Sequence, residues 1–153
     1  AIKLVSKEMI YMNKVNYLYY MLSPIFMLVL ILMMWMIYPF WTNYLTMKLG
    51  LIYLMSCLSL GFYGLFMSGW ASNSSYSMLG SIRSLAQSIS YEVSLAIIMI
   101  IPMLMIDSFN FMDLLNFQVG MNWFIFFMWP IGMMFLFSMM AELNRTPFDF
   151  SEG

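Results

Sequence analysis

Four long apolar stretches separated by short polar ones set the layout of the chain, at about 17–40, 49–70, 79–106 and 123–144. Each reaches the roughly 20 residues a helix needs to cross a bilayer, so each predicts a transmembrane helix. WTNYLTMKL, ASNSSYS and DSFNFMDLLNFQVGMN lie between them and read as loops. Ahead of the first stretch, residues 1–16 combine Lys3, Lys7 and Lys14 with Ile2, Leu4, Val5, Met9 and Ile10. That mixture suits a segment lying in the membrane interface, with its ammonium groups among the headgroups. The expected fold is all-α: a polytopic transmembrane helix bundle with about four spans, a single membrane domain over 1–153 that ends in a loop at 145–153. Pro24, Pro102 and Pro130 fall within spans, where each removes a backbone hydrogen bond, and Pro130 with Gly132 marks the expected bend.

Orientation follows from the cations. Four crossings put residues 1–16, the loop before the third span and the tail on one side, with Lys3, Lys7, Lys14, Arg83 and Arg145. The opposite loops hold Lys48, Asp107 and Asp113. The positive-inside rule assigns the first side to the matrix, or to the cytoplasm of a bacterium. Trp35, Trp41, Trp70 and Trp123 lie near span ends, where interfacial anchors belong.

Composition narrows the chemistry. With 63% hydrophobic and 8% charged residues and a mean hydropathy of +0.85, the chain cannot cover a water-soluble globule, which carries about 25% charged residues. A net charge of −1 offers no basic patch for phosphates, so no nucleic acid is expected as a partner. There is no His and a single Cys, Cys57, inside an apolar run. Haem, zinc, iron–sulfur and copper centres need several such ligands, so no metal site and no cofactor bound by this chain are expected. Cys57 reads as a small packing residue. The 21 Met residues, spread over every span beside only two Arg, point to AT-rich coding and a mitochondrial genome. The start at Ala1 and the stop just after Glu152 read as part of a longer protein.

Two places carry chemistry. The third span opens with SIRSLAQSISYEVS, nine of whose fourteen residues are polar. At about 100° per residue, Ser81, Ser84, Ser88 and Glu92 share one face, and Arg83, Gln87, Ser90 and Ser94 another. Such a helix is expected to be surrounded by protein or to line a wet cavity, not to face lipid. Glu92 lies about 13 residues into the predicted span, roughly 20 Å along its axis. A carboxylate there is either a proton-relay group or one arm of a permanent ion pair. The second place is AELNRTPFDFSEG, which gathers Glu142, Arg145, Asp149 and Glu152: three of the chain's seven acids and one of its six cations. Glu142 and Arg145 are three apart and can meet on one helical turn. Pro147 is expected to end the helix, so that the following loop brings Asp149 and Glu152 towards Glu142. Acids so clustered can share a proton whose occupancy follows a nearby change of charge.

AIKLVSKE, LSPIF, GWASNSSYSMLGSIRSLAQSISYEVSLA and AELNRTPFDFSEG, in this order, closely resemble subunit 1 of respiratory complex I, the proton-pumping NADH:quinone oxidoreductase, in its mitochondrial form. Members of that family typically read AETNRTPFD followed by an acidic EGESE stretch. The resemblance implies an eight-helix family fold of which this chain holds helices two to five. It also implies a core membrane subunit that shapes the quinone-reduction chamber and the start of the proton route. By that resemblance Glu92, Glu142, Asp149 and Glu152 are proton-relay residues, and Arg83, Arg145, Lys3 and Lys7 belong to the quinone chamber or its entrance. Ubiquinone is then the substrate, with flavin and iron–sulfur clusters in partner subunits. The other complex I subunits and the lipid bilayer are the partners, and the mitochondrial inner membrane is the site. Leu143 departs from the usual Thr, and Ser81, Ser84 and Ser88 stand where Ala, Ala and Thr are typical. A standalone proton or cation transporter also places acids in membrane helices, but it commonly shows inverted repeats, and none is visible. The membrane subunit of an energy-converting hydrogenase is a further alternative, disfavoured by the mitochondrial composition. Absence of His excludes a haem-bearing cytochrome b.

Overall fold

The computed structural model describes residues 2–8, 13–40, 46–119 and 123–150, which form helices and no strand. In chain order these are α1 (Ile2–Val5), α2 (Tyr17–Met34, continued by a 3₁₀ turn at Trp35–Ile37), α3 (Gly50–Ala71), α4 (Ser75–Leu104), α5 (Phe111–Gln118), α6 (Phe124–Phe127) and α7 (Trp129–Glu142). Tyr17–Ile37, α3 and α4 are long and apolar enough to cross a membrane. The chain is therefore a helical membrane bundle, as its hydropathy predicts.

Three boundaries differ from the sequence reading. First, α4 begins at Ser75, four residues earlier than expected, because Ser74 caps it: Ser74 has extended backbone and its Oγ accepts the Ser77 N–H at 3.4 Å. With 30 residues, α4 is about 45 Å long, more than the roughly 30 Å hydrocarbon core, so it tilts or runs past the membrane at one end. Second, the expected loop after α4 contains α5, capped by Asn110, whose Oδ1 accepts the Met112 N–H at 3.1 Å. Third, the fourth apolar stretch is two helices. They part at Met128 (φ −122°, ψ 46°), and α7 restarts with Pro130 in its first turn, where a missing N–H costs nothing. The expected bend thus lies two residues ahead of Pro130, while Pro24 and Pro102 sit inside α2 and α4 without ending them. Alone, α7 spans about 21 Å, short of the hydrocarbon core.

The turns use side chains suited to left-handed backbone. Asn73, Asp107 and Asn144 have φ of 52°, 57° and 49°, a region where Asn and Asp are the least strained residues after Gly. Asn73 closes the α3–α4 turn, so consecutive helices run antiparallel. The Asn16 N–H donates to the Ala71 carbonyl at 3.0 Å at one end of the bundle, and the Leu51 N–H to the Phe109 carbonyl at 3.2 Å at the other. α2 packs on α3, α3 on α4, and α4 on α7, which makes α4 the element that joins α7 to the rest of the bundle.

Interfaces between these helices are narrow and built from small residues. Gly64 faces Met27 across α2–α3, and Gly69 faces Ser81 across α3–α4, while the buried residues of α7 are Ser138 and Ala141. Small side chains let helix backbones approach when lipid is as apolar as the partner helix. Cys57 is buried, as expected of a packing residue. Large apolar residues such as Leu18, Ile25, Val93 and Ile97 are exposed, which suits contact with lipid or neighbouring helices.

Candidate functional site

The end of α7 is built by its last turn and not by proline. Asn144 takes left-handed backbone, its N–H donates to the Ala141 carbonyl at 3.3 Å, and the Arg145 N–H donates to the Met140 carbonyl at 3.0 Å. This pair of bonds is a Schellman motif with Asn at the left-handed position. It stops the helix at Glu142, well before Pro147, which sits in the following loop beside a cis Thr146–Pro147 bond. The Phe148 N–H then donates to the Arg145 carbonyl at 2.7 Å, closing a tight turn that sends the chain back along α4.

α4 receives that loop through two neighbouring residues on one face. Gln87 Nε2 donates to the Ala141 carbonyl at 3.0 Å and to the Phe148 carbonyl at 2.9 Å. One turn further, the Tyr91 ring meets the Phe148 ring edge-on, with centroids 5.4 Å apart. These contacts place the end of α7 at the middle of α4. There half-buried Glu142 comes within electrostatic reach of half-buried Glu92.

The serines of α4 behave differently from the sequence reading. Ser81, Ser84, Ser88, Ser90 and Ser94 each donate to the carbonyl three residues earlier, at 2.7–2.9 Å. Their hydroxyls are satisfied within their own helix, so they demand no wet cavity. Ser81, Ser84 and Ser88 are buried as one face, Gln87 is buried with them, and Arg83 and Ser90 are exposed.

The remaining candidate residues fall as follows. Arg145 is exposed, and among the described residues no ion pair joins it to Glu142: the helix ends before the turn on which they were expected to meet. Asp149 is half-buried and, like Arg83, takes part in an interaction of its own. Lys3 and Lys7 are exposed, in and just after α1. Glu152 lies outside the described residues. Among those described, no group of three His, Cys, Asp or Glu could hold a metal ion.

A separate cavity of about 1150 Å³ opens between α2, α3 and α4, lined by residues including Tyr20, Met27, Ile31, Gly64 and Ser81. None of the described acids lines it. Its walls are apolar apart from hydroxyls, so it suits an apolar group better than a charged one. The carboxylates, on the α7 side of α4, are where proton chemistry can occur.

Comparison with known proteins bears on what such a pair of acids serves. A family model described as NADH dehydrogenase matches residues 1–153. The chain belongs to the NADH dehydrogenase family. It is 46% identical over its full length to NADH-ubiquinone oxidoreductase chain 1 of Anopheles quadrimaculatus, covering 48% of that protein, and 47% identical to that of Locusta migratoria, again covering 48%. It is 42% identical, over 99% of its length and 46% of the relative's, to an NADH-quinone oxidoreductase subunit of Pelagibacter ubique. The chain thus spans about half the length of the curated relatives it matches. Within this chain, the residue whose role the sequence does not single out is Gln87, which reads there only as one member of a polar face. Its only signal was a polar residue that, unlike its serine neighbours, cannot satisfy a whole side chain from its own helix.

Proposed function

We propose that this chain forms part of the core membrane subunit of a proton-translocating NADH:ubiquinone oxidoreductase in the mitochondrial inner membrane, shaping the quinone-reduction chamber and the start of the proton route. The observation that carries the reading is that Gln87 of α4 holds the carbonyls of Ala141 and Phe148, which brings half-buried Glu142 against the helix that carries half-buried Glu92. Arg83, Arg145, Asp149 and Glu152 complete the chamber and relay set, with Lys3 and Lys7 towards the entrance.

Reduction of a quinone to a quinol takes up two electrons and two protons. The electrons come from NADH through flavin and iron–sulfur clusters held by partner subunits. This chain supplies a path for protons and a shaped place. Two carboxylates in reach can hold one proton between them, and its position answers to nearby charge. Negative charge developing in the chamber attracts that proton. Its departure leaves two ionised acids that repel each other, which favours reloading from further along the route. The interruption at Met128 is a trait shared with transporters, which build ion sites at broken helices. The family match over the whole chain weighs against a standalone transporter.

The test uses Glu92→Gln and Glu142→Gln in the full-length subunit of the assembled complex. Gln keeps size and hydrogen bonding but releases no proton. NADH oxidation by an artificial acceptor at the flavin should be unchanged, while quinone-linked proton pumping falls about tenfold or more. Assembled variants that pump at the normal rate would reject the relay role of these acids.

A further inference from the structure

Gln87 carries no charge and releases no proton, so the proposed route does not use it as a carrier, yet it joins the two elements on which the acids stand. The carbonyls it holds belong to Ala141, just before Glu142, and to Phe148, just before Asp149. The side chain is only 6% exposed, both amide hydrogens are engaged, and Oε1 is buried with no partner among the described residues. Its orientation is decided by the acceptors: turning the amide over would set Oε1 against two carbonyl oxygens. An unmatched buried acceptor is costly, and Met or Leu would fill the same space without it. What this position supplies is therefore a pair of donors aimed at the chain on either side of the loop. Tyr91, one turn along, holds the Phe148 ring edge-on and gives the same residue a second, apolar hold.

We infer that Gln87 is a positioning residue of the acid cluster: by gripping the residues that precede Glu142 and Asp149, it fixes the distance of both acids from Glu92. Its structural effect follows from the hydrogen bonds alone, and its functional effect rests on the proton route proposed above. The charged residues nearest to it along its own helix are Arg83 and Glu92, and those flanking in sequence the two carbonyls it holds are Glu142 on α7 and Arg145 and Asp149 in the loop.

Two variants in the full-length subunit of the assembled complex test this. Gln87→Met keeps the volume and removes both donors. Amide hydrogen exchange over residues 143–150 should then quicken about tenfold or more, and quinone reduction should fall at every pH. Gln87→Glu restores one donor only when protonated and repels both carbonyls when ionised. Its quinone-linked rate, relative to the parent enzyme, should therefore recover as pH falls. Should Gln87→Met fail to assemble, the pH series with Gln87→Glu carries the test. A residue that merely fills space predicts normal exchange and normal rates for Gln87→Met, and a parent-like pH profile for Gln87→Glu; either result overturns the inference. Faster exchange with undiminished pumping overturns the positioning role, whereas the Glu92→Gln and Glu142→Gln variants report on the route itself.

Discussion

A methyl group at Gly69 has no space to occupy. Built on that residue of α3, a Cβ would overlap the Cβ and Oγ of Ser81 on α4 and lie 3.2 Å from the Ser77 carbonyl oxygen. Ser81 cannot turn away: its Cβ is fixed to the helix backbone, it is buried, and its Oγ is bonded to the Met78 carbonyl at 2.9 Å. Relief requires α3 and α4 to separate, and overpacking of this kind costs about 1–3 kcal/mol. Gly64, on the same helix, is an internal control. A Cβ there meets Cγ and Sδ of Met27, a flexible side chain that can change rotamer, so Gly64→Ala should cost under about 1 kcal/mol. Gly61 has nothing within 4 Å, so Gly61→Ala should be neutral or gain about 0.5–1 kcal/mol of helix preference. The amount of assembled complex on native gels, and the heat resistance of its quinone-linked activity, should therefore rank Gly61→Ala first, then Gly64→Ala, then Gly69→Ala. A loss of about 1–2 kcal/mol is enough for a several-fold fall in abundance. Ser81→Gly in the Gly69→Ala background should recover much of the loss because it removes the opposing Cβ, whereas Ser81→Ala should not. Normal assembly of Gly69→Ala, or an order with Gly64→Ala below it, would refute the close approach of α3 and α4.

Two further outcomes follow from backbone and topology. Asn144→Ala, at φ 49°, should strain the end of α7 by about 1 kcal/mol and quicken amide exchange in the loop after it, while Asn144→Gly should leave exchange unchanged or slower; equal exchange in both would show that the left-handed turn is not what holds α7 shut. Ser74→Cys and Asn110→Cys, introduced singly, should be labelled by an impermeant thiol reagent from opposite faces of the membrane, with little background from buried Cys57, and labelling of both from one face would contradict a membrane-crossing α4.

How much of this fold could be read from the chain depends on which physical quantity decided each element. α2 and α3 were legible because a bilayer of fixed thickness sets the length of an apolar run. The start of α4 was not, because residues 72–77, SNSSYS, are polar and only 72–74 form the turn. The signal was present in Ser74, whose Oγ accepts the Ser77 N–H, but a string of serines hides which one caps. α5 was missed in the same way. Asn110 ahead of FMDLLNFQ, with Asp113 in the first turn, is a helix start that a reading by hydropathy passes over. The break at Met128 is invisible to hydropathy altogether, since WFIFFMWPIGMM is apolar from end to end; only Pro130 marks its neighbourhood.

The acids of the site stood out because charge is rare in this chain, but which of them meet was hidden. The expected contact of Glu142 with Arg145 assumed that a spacing of three means one helical turn, and Asn144 breaks that assumption by leaving the helix between them. The approach of Glu142 to α4, which carries Glu92, joins positions far apart in the chain, and Gln87 reaches carbonyls 54 and 61 residues away, separations that no local pattern registers. A better reading of α4 subtracts what satisfies itself. Ser81, Ser84, Ser88, Ser90 and Ser94 return their hydroxyl protons to their own helix, and so carry little information about partners. After that subtraction the polar side chains left between Ser81 and Ser94 are Arg83, Gln87, Tyr91 and Glu92. Gln87 and Tyr91 hold the returning loop, Glu92 lies within electrostatic reach of Glu142, and Arg83 has an interaction of its own. The leftover polar groups of a membrane helix, not its total polarity, are what mark where another part of the protein must arrive.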